Sequence, residues 1–453
     1  MTKILVSVLI FLQSLLGLGY ENSEVWAFDA LPCYEGGRVC SGVYNDGAGL
    51  ANEQNGPTAE DSRLQVIAGT NASEYAAFID AARESGFEAV YENCFETVTA
   101  TALRKGDLLY YAYYCDATGE ARVVEDNGSD SLENFGYSYS EGSAATLYQF
   151  DYPYADFGEK RDEDVYSTNG MMYIVKLADN SLVVIDGGSI RQSADKNIEE
   201  CIRYMHKITG TQMGEPIRIA LWYGTHGHSD HVTFFYKLLG YYHSDILLER
   251  VMFNYPSLSL VEHDERIDMF RDRLALLYPD VKFLKPHTGM SFDMANLHID
   301  VLYTHEDAVS PLTGKTRITN TNDASTVCRL TAAGKRFLVT GDMNVLAQSK
   351  VVPMYPHDVF RCDVLQGAHH LYNSVNLIYD YADADWVLCP MSQGRAKAGL
   401  LGHTAARLYY KEEQLLYADN ALYIFTFAPE GITLSTDRTA CVCYDDSGMN
   451  DIR

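Results

Sequence analysis

Between Thr225 and His231 the chain reads Thr-His-Gly-His-Ser-Asp-His, which places three of its 13 histidines and one aspartate within six residues. Four ionisable side chains so close together make poor core material, because burying each one costs free energy. Imidazole and carboxylate together suit Zn²⁺, Mn²⁺ or iron. So short a loop does not easily bring all four donors to one ion. Two neighbouring cations fit better, with His226 and His228 on one and Asp230 and His231 on the other.

The elements around this loop give it a place. The apolar run IRIALWYG precedes it and reads as a strand, and HVTFFYKLL follows with helical periodicity. The four donors therefore sit at the C-terminal end of a strand, where sites in open α/β sheets are found. Other candidates end similar runs: Asp186 closes LVVID, Asp342 closes RFLVTGD, and His369 and His370 follow DVLQG. His403 stands further on, before a helical stretch. An Asp-Gly pair alone is usually a turn, so the weight lies in the order and placement of these segments. Of the histidine pair, one is expected to ligate the second cation and the other to donate a proton to a leaving group. His206, His243, His263, His287 and His357 have no such neighbours in sequence.

The His-x-His-x-Asp-His spacing resembles the signature of the metallo-β-lactamase fold superfamily. LVVIDGGS looks like its early strand and RFLVTGDMN like its later Gly-Asp motif, so the resemblance covers roughly residues 165–435. It implies a four-layer αββα metallo-β-lactamase fold, here preceded by a small α+β domain. It also implies that Asp186 orients the metal loop and that Asp342 bridges both cations, since a carboxylate can offer one oxygen to each. NDASTVCRLTAAGKRFLVTGD, DVLQGAHHLYNS and GHTAARLYYKEEQLLYADNALYIFTF are most similar to the hydrolase domain of ComEC-type DNA-uptake proteins. That group carries His-His-Gly-Ser and Gly-His-Pro, where this chain has Leu371-Tyr372 and Thr404. Many superfamily members also take a third histidine for the first cation from the segment before the Gly-Asp strand. Here that segment offers Asn320, Asn322 and Asp323, and Asn is a poor zinc ligand. Asn322 is then a supporting residue, and His305 a candidate replacement.

The chain has 453 residues and a formal net charge of −27. The length suggests two domains, and the charge argues against general nucleic-acid binding, which needs Lys and Arg against phosphate. Ile4 to Leu18 is an apolar run behind a single lysine, too short for a bilayer span of ~20 residues and suited to a signal peptide over residues 1–27. A bacterial secreted or cell-surface protein with no membrane span after cleavage follows as the expectation. Residues 28–164 read as a small accessory α+β domain. It begins with an irregular Gly-rich stretch and continues with strand LQVIAG, a helix from Asn71 to Gly86, then strands ETVTATAL, DLLYYAYYC and ARVVED. It contains no His/Asp/Glu constellation in sequence, and residues 165–453 form the hydrolase domain. Export would permit disulfides, with Cys33–Cys40 and Cys94–Cys115 as plausible pairs. Cys328 and Cys389 read as neutral core residues.

The leading expectation is a metal-dependent hydrolase with two divalent ions, zinc or manganese. It would cleave a phosphodiester or related ester by a metal-bound hydroxide. Its catalytic residues would come from Asp230, His369, His370 and His403. A small-molecule or short phosphodiester substrate suits the acidic composition. The alternatives are a lactone or β-lactam hydrolase, a non-catalytic surface binding protein on the same scaffold, and an iron oxidoreductase. The last normally needs a flavin-binding partner domain, and no Gly-rich phosphate motif is visible.

Overall fold

A computed structural model describes residues 26–44, 64–126, 140, 142–152, 170–256, 268–308, 320–372, 375–393, 396, 403–418 and 421–437. The leader expected over residues 1–27 lies outside them up to residue 25, as do Cys441 and Cys443. Among the described residues no helix is long and apolar enough to cross a membrane.

The first six strands form an antiparallel sheet: β1 (Arg38–Tyr44), β2 (Leu64–Ala68), β3 (Glu88–Phe95), β4 (Val98–Lys105), β5 (Leu108–Cys115) and β6 (Glu120–Glu125). Their order is β1-β2-β6-β5-β4-β3. The helix Ala72–Glu84 covers one face, capped by Asn71, whose side chain accepts from the backbone N–H groups of Ser73 and Glu74. β5 shows why its sequence is apolar throughout. Tyr110, Ala112 and Tyr114 pack toward that helix, whereas Tyr111, Tyr113 and Cys115 join the main core on the other side.

A second sheet starts with β7 (Ala145–Phe150), β8 (Met172–Lys176), β9 (Leu182–Asp186), β10 (Ile217–Tyr223), β11 (Ile246–Leu248), β12 (Arg250–Met252) and β13 (Lys282–Leu284). A third holds β14 (Ser291–Met294), β15 (Leu297–Tyr303), β16 (Val327–Ala332), β17 (Lys335–Val339), β18 (Val364–Gln366), β19 (Trp386–Cys389) and β20 (Leu415–Tyr417). The chain then returns to the second sheet with β21 (Leu422–Ala428) and β22 (Gly431–Asp437). Antiparallel strands open each of these sheets and parallel ones follow: β9, β10, β12 and β13 in the second, β17 to β20 in the third. The two sheets share one core. Along β9, Val183 and Ile185 face it, whereas Leu182 and Val184 face the helices Asp195–Thr209 and Ser229–Tyr241. Helices Val345–Val351, Asn376–Ala382 and His403–Tyr409 flank the third sheet. The layer order is therefore helix, sheet, sheet, helix, the α/β architecture of the metallo-β-lactamase fold.

Several expectations need correction. Arg38–Tyr44, inside the stretch read as irregular, is a strand paired with β2. β7, before the boundary placed at residue 165, pairs with β8 and β21 inside the second sheet. Val98, Ala100, Tyr111 and Tyr113 share a core with Met290, Phe292 and Tyr355, so the first sheet is built onto the rest of the molecule. Polar contacts join the same parts. The Tyr91 hydroxyl donates to the Ser291 carbonyl at 2.9 Å, and Asn93 Nδ2 donates to the Gly289 carbonyl at 2.9 Å.

Cys33, Cys40, Cys94 and Cys115 are all free. Cys94 pairs in register with Thr99 of β4 and Cys115 with Val98, so a whole strand separates the two cysteines. Two interstrand spacings of about 4.8 Å exceed the reach of a disulfide. Cys40 is buried while Cys33 is exposed, and the Cys40 thiol donates to the Arg38 carbonyl. Cys328 and Cys389 are fully buried, and burial pushes the Cys328 thiol up to about 12.

Candidate metal centre

The parallel strands deliver the chemistry to one end of both sheets. β9 ends in Asp186, β10 runs into Thr225 and His226, β17 into Asp342, and β18 into His369 and His370. Two glycines make the approach possible. Gly341 has φ +55°, and a Cβ there would press on Ser325 and Thr225. A Cβ on Gly187 would strike Phe235 of the helix Ser229–Tyr241.

Asp186 is fully buried and sits at φ +54°. Its carboxylate accepts from the Thr225 N–H at 2.7 Å, the Thr225 hydroxyl at 2.8 Å and His231 Nδ1 at 2.6 Å. These bonds set the tautomers. His231 spends its Nδ1–H on Asp186, leaving a lone pair on Nε2. The Thr225 hydroxyl donates to Asp186, so it can only accept from His226 Nδ1, 3.2 Å away, and His226 also keeps its lone pair on Nε2. His370 Nδ1 lies 2.8 Å from the Pro390 carbonyl, a pure acceptor, and His370 follows the same rule.

Three imidazole lone pairs therefore point inward, onto a carboxylate. Asp342 Oδ2 lies 3.8 Å from His226 Nε2, and 3.7 Å from both His369 Nε2 and His370 Nε2; Oδ1 lies 3.1 Å from His231 Nε2. His231 Nε2 and His370 Nε2 are 3.2 Å apart, and His370 Nε2 is 3.4 Å from Asp230 Oδ2. His226 Nε2 is buried with no hydrogen-bond partner, and no donor is aligned on Asp342 Oδ1. Buried orphan acceptors cost about 1–3 kcal/mol each. A cluster made of acceptors needs positive charge at its centre.

The protonation equilibria express the same demand. Burial holds His226 and His228 below the ordinary histidine value, ready to ligate as neutral rings. Burial also opposes charge on His231, yet the Asp342 and Asp186 carboxylates raise it well above the ordinary value. His370 is raised by Asp342 and Asp230 against the same burial. Asp342 and Asp230 stay below the carboxylate range despite burial, because imidazoles surround them. Two imidazolium rings facing each other at 3.2 Å would repel, whereas divalent cations satisfy every donor at once. The residues present fit such a group.

His226, His231 and Asp342 form one set of mutually close donors, and Asp230, His231 and His370 form another. His231 belongs to both by distance; its neighbours His370 and Asp230 place it with the second. His228 lies beside His226, with ring centroids 4.6 Å apart. His370, rather than His369, enters the Asp230 side. The His369 side chain is about a quarter exposed and rests against Asn322, whose Nδ2 is 3.1 Å from its Nε2. His305 takes no part in either set. It is buried, and its Nδ1 lies 3.2 Å from the Asn254 carbonyl. His403 opens the helix His403–Tyr409, and its side chain lies outside the described residues.

Sequence reasoning missed three supports: Thr225, the Pro390 carbonyl, and Ser325, whose hydroxyl accepts the Asp342 N–H at 2.9 Å. Thr225 was the one with a signal, a hydroxyl directly before the first histidine. It also missed a second polar cluster. Fully buried His287 lies 3.0 Å from Asp126 Oδ2 and 2.8 Å from Glu306 Oε1, and stacks on Tyr111. Close by, Arg122 pairs with Glu120 and approaches Asp307 at 3.9 Å, and the Tyr113 hydroxyl donates to Asp307 at 3.0 Å. The first sheet thus contributes to a charged constellation that its own sequence did not reveal.

No protein-family model matches the chain, and no curated protein matches it. Among solved structures, the chain is similar to the metallo-β-lactamase fold protein YhfI from Bacillus subtilis (13% identity, 63% of this chain and 100% of that one, TM-score 0.35). It is also similar to CmlA, a diiron β-hydroxylase from Streptomyces venezuelae (13%, 49% and 43%, TM-score 0.30). A third is Zn²⁺-bound PqqB from Methylobacterium extorquens (10%, 49% and 70%, TM-score 0.28). At these identities and scores no function is carried across, and the functional argument rests on the geometry of the site.

Proposed function

We propose that this protein is a metal-dependent hydrolase with a dinuclear centre, acting on a phosphodiester or a related ester. One observation carries the reading. The Nε2 atoms of His226, His231 and His370 converge on the buried carboxylate of Asp342, and His226 Nε2 and Asp342 Oδ1 have no hydrogen-bond partner. His226 and His228 would hold one cation, Asp230, His231 and His370 the other, and Asp342 would face both. Two zinc or manganese ions would supply Lewis acidity, polarising a phosphoryl or carbonyl oxygen and lowering the pKa of water to about 7. Asp186, Thr225 and the Pro390 carbonyl keep protons on the outward Nδ1 atoms, so the inward nitrogens stay basic. The partly exposed side chains of Asp230 and His369 form the rim from which a substrate would enter. The resemblance of the later half to ComEC-type hydrolase domains favours a phosphodiester, and the net charge of −27 favours a small one over long nucleic acid. The signal-like leader suits an extracytoplasmic setting.

The experiment is metal analysis of the purified full chain together with turnover of bis-p-nitrophenyl phosphate and a panel of lactones. Two equivalents of metal and diesterase activity support the reading. Lactonase activity without diesterase activity would replace the substrate class, and a protein that takes up no divalent metal would be a binding protein on this scaffold.

A further inference from the structure

Gln366 is the last residue of β18 and is fully buried, a polar side chain at the end of an apolar run. Its amide is occupied at both ends. Oε1 accepts from the Thr340 N–H at 2.8 Å and from the Thr340 hydroxyl at 2.9 Å. Nε2 donates to the Gly341 carbonyl at 3.0 Å and to the Gly367 carbonyl at 2.6 Å. These partners fix which end is oxygen, since a backbone N–H can only donate and a carbonyl can only accept. We propose that Gln366 is a positioning residue of the metal centre, holding Asp342 and His370 in one frame. This rests on the dinuclear reading above.

On the β17 side the amide replaces a rung of the strand ladder. β17 and β18 pair in parallel, Phe337 with Val364 and Leu338 with Leu365. Beyond these pairs the Gln366 side chain continues the contact, because a primary amide offers the same C=O and N–H as a peptide group. It bonds Thr340 and Gly341, the two residues before Asp342. The Gly341–Asp342 peptide is then held at both ends. Its carbonyl accepts from Gln366 Nε2 and from the His369 N–H at 3.1 Å, and its N–H donates to Ser325 Oγ at 2.9 Å. Rotation of its own side chain is the freedom left to Asp342.

The same amide anchors the turn that carries the histidines. Gly367 is fixed through its N–H to the Leu388 carbonyl at 2.8 Å and through its own carbonyl to Gln366. A Cβ on Gly367 would strike Leu371, so the turn closes tightly over this point. His369 (φ 47°, ψ 52°), His370 (φ 49°, ψ 31°) and Leu371 (φ 64°) then follow in the left-handed region. Such a run is strained for L-residues and persists only where the surroundings impose it. Gln366 constrains its start, and the bond between His370 Nδ1 and the Pro390 carbonyl constrains its middle. His370 Nε2 is thereby held 3.7 Å from Asp342 Oδ2 and 3.4 Å from Asp230 Oδ2. Asp342 and His370 come from different strands, and Gln366 bonds the backbone leading to each.

The test is metal stoichiometry and affinity on the full chain, read by elemental analysis, by chelator competition with Zn²⁺ and by the visible spectrum of the Co²⁺ form. The urea midpoint of the metal-free chain is measured beside them. Gln366→Met keeps the length of the side chain and removes the four bonds of the amide. Gln366→Glu keeps its shape and its acceptor oxygen but turns a second oxygen toward the Gly341 and Gly367 carbonyls. Each variant should hold one of its two equivalents about 10–100-fold more weakly and show a changed Co²⁺ spectrum. Thr340→Val removes only the hydroxyl's bonds and should weaken the same equivalent by a smaller factor, which carries the comparison should neither Gln366 variant fold. A lowered urea midpoint with unchanged metal affinity and an unchanged Co²⁺ spectrum would leave Gln366 a purely structural role and overturn the assignment. A wild-type chain that takes up fewer than two equivalents overturns the dinuclear reading, and this assignment with it.

Discussion

At the residue scale, Asp342 is the pivot, because its two oxygens face four imidazole nitrogens within 3.8 Å. Asp342→Asn removes the charge that would separate the two proposed cations, and their repulsion would be poorly screened in a buried cleft. We expect loss of at least one metal equivalent and a fall of several orders of magnitude in hydrolysis, checked by elemental analysis and steady-state rates. Asp186 lies behind His231 and would act on a cation only through it. Asp186→Asn tolerates the positive φ but lets His231 turn or change tautomer. Metal affinity should drop by about 10–100-fold, measured by chelator competition, with the fold retained. His287 makes a different prediction. Burial alone would depress it, but Glu306 and Asp126 on either side raise it to about 9 from an ordinary 6.5. Its stabilisation is therefore complete below pH 6.5 and is lost as pH rises through about 9. Glu306, held down at about 2 by His287 despite its burial, contributes above pH 4.5 and loses that contribution as pH falls through about 2. His287 and Glu306 form a single ion pair, 2.8 Å apart. Urea midpoints should be flat between pH 4.5 and 6.5 and decline toward pH 9. His287→Gln should abolish that alkaline decline and cost about 3 kcal/mol, since it strands two buried carboxylates. An unchanged alkaline limb in the variant would show that some other group titrates.

At the element scale, the site depends on where strands stop. β9 and β18 are buried throughout, and β10 and β17 end in apolar runs buried on both faces, as parallel strands between layers must be. Each ends two to four residues before a site side chain, or on it. Turns away from the site carry avoidable strain. Ala333 and Gly334 link β16 to β17, both at positive φ (50° and 73°), the geometry of a two-residue hairpin turn that favours glycine or asparagine first. Ala333→Gly should raise stability by up to about 1 kcal/mol by relieving the left-handed backbone. A lower urea midpoint would mean that the Ala333 methyl, nearly buried at 9% exposure, contributes more by packing than it costs in strain.

At the scale of the whole molecule, the first sheet and the two larger ones share one core. Tyr111, Tyr113 and Val98 lie in the core that also holds Phe292 and Tyr355, and the His287 and Asp307 networks cross the same boundary. A chain beginning at residue 166 lacks β7, which sits between β8 and β21 within the second sheet. We expect it to be insoluble. A chain beginning at residue 140 keeps β7 but exposes the face that β4 and β5 cover and leaves His287 and Glu306 without Asp126. It should aggregate or unfold at much lower urea than the full chain. Native-like solubility and metal content in that shorter chain would show that the shared core is dispensable.

What the sequence determined by itself is the set of ligand-type residues and their strands. His226, His228, Asp230, His231, Asp186 and Asp342 are legible because each lies at the end of an apolar run, and local hydrophobic periodicity marks where such runs end. The strand pattern of β8, β9, β10, β15 to β19 and β21 is legible for the same reason. Short or half-exposed strands such as β1, β13, β14 and β20 are not, because their formation depends on a partner strand far away in sequence. Only the tertiary structure decided which of two adjacent histidines goes where. Sequence spacing fixes no φ, and three left-handed residues in a row are imposed by Gly341, Pro390 and the core around Leu371. It alone also decided that Cys94 and Cys115 stay apart, since a strand inserted between them is a fact of register. The joining of Asp126 to His287 across 161 residues belongs to the same class. Burial turns that pair into an interaction, and burial belongs to the packed whole rather than to either segment.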